Sequence, residues 1–221
     1  MAPGRTAVAA PPARTDRRLP RRLVQLYAGL ALYGLSMALL VRAELGVMPW
    51  DVLHQGLVRS IGGTLGGVSV VVGALVLLLW VPLRQRPGVG TVSNVVVIGI
   101  AVDASLAVLP AVGDGLPLRI AVAVAGILLN AVATAAYIGV RLGPGPRDGL
   151  MTGLVARTGG SVRLVRTGIE VVVVASGWLL GGTLGIATVL YALAIGPLVQ
   201  PLLRWFTVAP GAGGGTIEVR P

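Results

Sequence analysis

The chain has no cysteine and no lysine, one histidine, one phenylalanine and only eight acidic residues among 221. Without cysteine there is no disulfide framework, thiol chemistry or Cys-ligated metal site. One histidine cannot form an H-E-x-x-H zinc motif. No serine nucleophile elbow and no Gly-Lys-Ser/Thr phosphate loop occurs either. The expectation is therefore a protein that is not an enzyme and carries no metal or cofactor. Charged residues make up 12% of the chain, about half the share of an ordinary soluble domain.

What replaces charge is apolar length. Fifty-five per cent of the residues are hydrophobic, gathered in six runs at 23–41, 67–83, 91–109, 120–140, 168–180 and 184–203. Most approach or reach the ~20 residues that carry a helix through a bilayer, and none alternates with the period of a barrel strand. The pattern predicts a polytopic, all-α membrane protein. Its net charge of +10 comes wholly from 18 arginines placed at run ends. These form no aromatic-interleaved stripe, which argues against nucleic acid as a partner and for the lipid bilayer. Residues 1–22, rich in Pro, Ala and Arg, read as a disordered basic tail, and residues 205–221 read as a flexible one. The run that follows the first tail is too long for a signal-peptide core and is expected to stay as the first span.

The chain also duplicates itself. At an offset of 97, residues 45–63 and 142–160 match at 10 of 19 positions. The matches include Gly46 with Gly143, Pro49 with Pro146, Asp51 with Asp148, and Gly62–Gly63 with Gly159–Gly160. Shared apolar composition would not reproduce Pro, Asp and paired Gly at fixed spacing. Two units follow, 23–109 and 119–204, each holding a long span, a short polar segment and two more spans. The short segment Pro49–Ile61 opens with Pro at a first helical position and an acid in the first turn, and Gly62–Gly63 ends it. At 13 residues it would be about 20 Å long, too short to cross, and so either re-entrant or interfacial. With six crossings and cytoplasmic termini, 15 arginines lie inside and 3 outside, as the positive-inside rule favours. Trp50, Trp80, Trp178 and Trp205 fall near run ends, where indoles prefer the headgroup level. An odd number of crossings per unit inverts the second relative to the first, a plan that recurs in transporters. It would place Asp51 and Asp148 at opposite mouths.

The stretches "LGVMPWDVLHQGL", "PGVGTVSNVVVIGIAVD" and "LGPGPRDGLMTGL" resemble those of YczE-type bacterial membrane proteins, relatives of the YitT group. The likeness spans about 23–203. It implies a small multi-pass protein of the bacterial inner membrane with no assigned activity, in a family sometimes linked to production or export of secondary metabolites. The second copy departs from the first, with Gly145 and Arg147 where the first has Met48 and Trp50.

The polar residues inside this apolar chain are the candidate pathway: Asp51, Asp148, His54, Asp103, Glu170, Gln200 and Asn94. Each has a structural reading beside the functional one. Asp51 and Asp148 could cap their own helices. Glu170 could pair with Arg166 four residues earlier. Asp103 and its counterpart Gln200 could bond between helices, as could Asn94 and Asn130. His54, three residues after Asp51, could be a solvated interfacial side chain or a pH sensor. Two function classes remain. One is a small-solute permease or exporter subunit, which needs a polar cavity between the repeats. The other is a membrane scaffold or regulatory partner of a biosynthetic or signalling complex, which predicts solid packing. A 22.5 kDa chain leaves room for a homo-oligomer.

Overall fold

The computed structural model describes residues 18–208; the expectations for 1–17 and 209–221 lie outside it. Among the described residues all regular structure is helical: α1 (Leu19–Ala43), α2 (Pro49–Ile61), α3 (Leu65–Trp80), α4 (Val89–Val108), α5 (Leu116–Gly139), α6 (Pro146–Thr158), α7 (Val162–Leu179) and α8 (Ile186–Phe206). Proline opens α1, α2, α5 and α6, where its missing N–H is no loss. Gly62 and Gly159, both at positive φ, stop α2 and α6. Gly63 and Gly160 follow them into the turns. The N-terminal tail ends sooner than residue 22, because α1 is already helical at Leu19.

The starts of α1 to α4 lie 97 residues before the starts of α5 to α8. Contacts repeat at the same spacing. Arg22 donates from Nε and Nη2 to the Val140 carbonyl (2.9 and 2.7 Å) and from Nη2 to Arg141 O. Arg119 donates to Ala43 O (2.8 Å) and Glu44 O (3.1 Å). Each arginine thus leaves the first turn of one central helix and satisfies the orphan carbonyls at the end of the other, so α1 and α5 pack antiparallel. The Gly90 N–H donates to Leu142 O at 2.8 Å, and the Ala187 N–H donates to Leu45 O at 2.9 Å. These bonds draw the backbones so close that only glycine fits. A Cβ on Gly46 (φ +111°) would lie 2.7 Å from Gly185 N, and one on Gly143 (φ +132°) 3.1 Å from Gly88 Cα.

Around the α1–α5 pair, α4 packs on α1 and α8 on α5, while α2 lies against α7 and α3 against α6. The main core runs through Leu26, Leu30, Met37, Leu40 and Ile127. Outside it the helices carry wide apolar faces, such as Val92, Val96 and Ile100 on α4 and Leu190 and Leu193 on α8. In a bilayer this is the expected arrangement, since lipid takes the place of a second apolar layer. Four helices, α1, α4, α5 and α8, are long and apolar enough to cross a membrane. A fifth span is available if α2 and α3, bent by 111°, count as one broken crossing. By itself α3 has only 16 residues, and α7 carries Arg163, Arg166 and Glu170 within its 18. Length and composition therefore support four to five spans rather than the six expected.

All four tryptophans lie at or near helix ends, but only two of them face outward. Trp178 and Trp205 are exposed, whereas Trp50 and Trp80 are buried. The Trp80 ring fills the place of a missing side chain at Gly149, and its Nε1–H donates to Pro146 O at 3.0 Å. A tertiary partner for the indole N–H removes its reason to seek the headgroups.

Candidate functional site

Between the short helices and the central pair lies a cavity of about 360 Å³. Pro49, Trp50 and His54 reach it from the start of α2, and Pro146, Arg147 and Asp148 from the start of α6. Both helix N-termini therefore border one space. Asp51, beside that wall, and Asp148 on it are drawn together, not held at opposite mouths as crossing parity suggested. Parity fixes the side from which a segment enters; it does not fix how far it penetrates. The N-terminal half of α2 (Pro49, Trp50, Asp51, Val52, His54) is buried in the bundle.

The link between the two N-termini is specific. The Arg147 guanidinium lies over the Trp50 ring, 4.8 Å from its centroid, in a cation–π contact. Trp50 and Arg147 occupy equivalent positions of the two duplicated segments, so this contact joins a residue to its own counterpart. Arg147 Nη2 is also 3.9 Å from Asp51 Oδ1. The substitution of Arg for Trp, met above as a departure between the copies, is what ties them together here.

Asp51 is 0% exposed and His54 1% exposed. His54 Nδ1 stands 3.1 Å from Asp51 Oδ1, and Asp51 Oδ2 has no hydrogen-bond partner among the described residues. His54 is therefore buried against the cavity rather than on the outer surface, and Asp51 is occupied with His54. Asp148 is partly buried, with the Tyr137 hydroxyl 3.5 Å from its Oδ2. Asp51 and Asp148 are the third residues of their helices; Met48 and Gly145 hold the N-cap positions and give no side-chain cap.

The remaining candidates separate. Glu170 pairs with Arg166 at 3.3 Å, and both border the cavity. Gln200 is on the cavity wall and exposed. Asp103 is elsewhere: its Oδ1 accepts the Gly66 N–H at 2.8 Å and so satisfies a free donor in the first turn of α3. Asp103 and Gln200 thus share no site, although they are sequence counterparts. Asn94 borders the cavity and makes no hydrogen bond among the described residues, whereas Asn130 is an interhelical bonder. Asn130 Nδ2 donates to Ser36 Oγ, and its Oδ1 accepts from the Tyr191 hydroxyl, both at 2.8 Å.

Sequence reasoning passed over the aromatic walls. Tyr33, Tyr137 and Tyr191 all line the cavity, with Tyr33 and Tyr137 edge to face at 6.1 Å. The signal was present, since all four tyrosines sit inside apolar runs, where each hydroxyl needs a polar partner.

Comparison with known proteins gives the family of the chain. The family of unknown function DUF6198 matches residues 20–204. An uncharacterised protein of Haemophilus influenzae is 39% identical over 179 residues, covering 81% of this chain and 82% of its own. The uncharacterised membrane protein YczE of Bacillus subtilis is 32% identical over 176 residues, covering 79% and 81%. No solved structure matches the chain. The chain belongs to this family, and it is a multi-pass membrane protein.

Proposed function

We propose that this member of the YczE-type family is a small-solute permease or exporter of the bacterial inner membrane, working between two inverted repeats. In this reading α1, α3, α4, α5, α7 and α8 cross, α2 and α6 are re-entrant half-helices, and both termini are cytoplasmic. The antiparallel α1–α5 pair, the equivalent Arg22 and Arg119 bonds and the common 97-residue spacing support the inversion. The arginine bias supports the orientation.

The observation that carries the reading is the cavity, with charged groups set in a largely apolar lining, at the meeting of two half-helix N-termini, where inverted-repeat transporters hold their solutes. A cavity near 360 Å³ is within the range that holds a small organic molecule.

The cavity is also asymmetric. The start of α3 is closed onto the end of α4, whereas the equivalent α7 and α8 scarcely touch, and the cavity reaches between them to Arg166, Glu170 and Gln200. With cytoplasmic termini, the sealed seam faces outward and the open gap inward. This is an inward-facing state, and exchange of the two seams would give the outward-facing one.

The test uses the absence of native cysteine. Ala192→Cys places a thiol on the cavity wall. In oriented vesicles a membrane-impermeant maleimide is expected to label it from the cytoplasmic side readily and from the outer side slowly. Labelling from neither side would return the protein to the scaffold reading. Ser60→Cys and Arg157→Cys, on exposed and equivalent turns of α2 and α6, should label from opposite faces. Labelling from one shared face would end the inverted topology.

A further inference from the structure

Two unspent groups stand side by side at this cavity. Asp51 is a fully buried acid whose Oδ2 has no partner among the described residues. Leaving such an atom unpaired is unfavourable, and removing the acid would relieve it. Arg147 is the complement. Its side chain is 32% exposed, it rests on Trp50, and it makes no hydrogen bond among the described residues. Its forked donors are therefore available to an acceptor in the cavity. The two meet only as a loose ion pair at 3.9 Å. His54 joins the acid to the cavity: Nδ1 is 3.1 Å from Asp51, the ring lines the wall, and Nε2 has no partner among the described residues.

We propose that Asp51, His54 and Arg147 form a coupled proton and oxyanion site. When Asp51 is ionised it holds Arg147. When a proton reaches Asp51 by way of His54, the guanidinium is released and grips the carboxylate or phosphate group of a solute. The N-termini of α2 and α6 add the positive ends of their helix dipoles toward the same anion. The proposal rests on the permease reading only in placing the solute in this cavity.

The surrounding charges leave the task to Arg147. From α6 comes Asp148, which the Tyr137 hydroxyl of α5 approaches. From α7 come Arg166 and Glu170, paired with each other. Tyr33 of α1 and Tyr191 of α8 bring hydroxyls, and α3 contributes no ionisable side chain to the wall. Arg147 is thus the cavity cation with the looser carboxylate partner, 3.9 Å from Asp51 against 3.3 Å between Arg166 and Glu170.

The experiment is calorimetry and proton-uptake measurement on the full chain in lipid nanodiscs, with acetate, inorganic phosphate and tetramethylammonium as probes. Binding of acetate or phosphate should be on the order of tenfold tighter at pH 5.5 than at pH 7.5, the factor expected of a coupling near 1.4 kcal/mol, and should take up a proton in weak buffer. Acetate against phosphate separates a carboxylate solute from a phosphate one. Asp51→Asn should bind at pH 7.5 as the wild type does at pH 5.5, with no proton uptake. Arg147→Gln should lose binding at both pH values. Should Asp51→Asn fail to fold, Arg147→Lys serves: it keeps the charge but not the fork and should weaken binding about tenfold with the pH dependence kept. Any of four results overturns the proposal: no binding of either oxyanion, binding of tetramethylammonium in their place, wild-type binding without proton uptake, or Arg147→Lys equal to wild type. Each is read without a flux assay, so cavity labelling from both faces would leave the permease reading standing while this site fell.

Discussion

The α3–α4 seam and the α7–α8 gap are built from corresponding stretches of the two halves, and one is shut while the other is open. Along α3, Gly66 and Gly73 present no side chain, and α4 answers with Gly99. A Cβ on Gly66 would stand 2.0 Å from Gly99 O, and one on Gly99 2.5 Å from the Val70 side chain. The positions 97 residues later are Arg163, Glu170 and Gly196. Arg163 and Glu170 would have to lose water or their partners for α7 to approach α8, and Gly196 has nothing within 4 Å to meet. A few small-to-charged exchanges have thus turned a packed interface into an opening, with the helices and loops conserved around it. Stretches 97 residues apart can thus share their helices while one pair of them packs tightly and the other does not.

The largest way to break the comparison is at the tryptophans. Trp80 on α3 is wedged against Gly149 of α6, and Trp80→Ala should cost about 4 kcal/mol through cavity formation and a lost hydrogen bond. Trp178 on α7 is 60% exposed, and Trp178→Ala should shift thermal stability by less than about 0.5 kcal/mol. Comparable losses in a melting experiment would mean that α7 is as tightly held as α3.

Next is the seam itself. Gly66→Val must push the α4 backbone away and is expected to cost about 3 kcal/mol, the upper end for overpacking. Arg163→Val, at the equivalent exposed position, should be neutral within about 0.5 kcal/mol. If Gly66→Val folds, the sealed seam should leak, and Ala192→Cys should label faster from the outer face. Unchanged labelling with unchanged stability would show that α3 and α4 do not form a gate.

Much of this scaffold was legible in the sequence, for a physical reason. Proline at a helix start, paired glycine at its end and long apolar runs are local signals. They fixed α2 to Pro49–Ile61 and the ends of the six long runs to within four residues, apart from the start of α7, which lies six residues before its run. The depth of the short helices was not legible, because no local signal says whether a 13-residue helix lies on a bundle or enters it. The Asp51–Arg147 approach, the burial of His54 and the Trp50 stack all follow from that depth, and all were missed. Asp103 was hard to place for the opposite reason. Its partner is a backbone N–H of α3, which carries no residue-type signature.

Smaller in effect is the pair Gly99→Ala and Gly196→Ala. The first presses a methyl against Val70 and the Gly66 carbonyl and should cost about 1–2 kcal/mol. The second enters open space in a helix interior and should gain a few tenths of a kcal/mol, up to about 1, from helix propensity. A destabilising Gly196→Ala would indicate that α7 rests against α8 in the protein as purified, in a state sealed on both sides.

The smallest expected effect is at the lip of the gap. Arg166 and Glu170 pair at 3.3 Å with side chains 56% and 35% exposed. An i, i+4 pair in that setting is worth about 0.3 kcal/mol. Glu170→Gln should therefore move the melting temperature by only about 1 °C in 150 mM salt, and by less in 1 M salt, where screening removes the attraction. A loss above about 1 kcal/mol that persists in high salt would require a buried pair. That can arise only if α7 and α8 come together around it, so the same measurement that reads a weak ion pair also reads whether the inner gap is open.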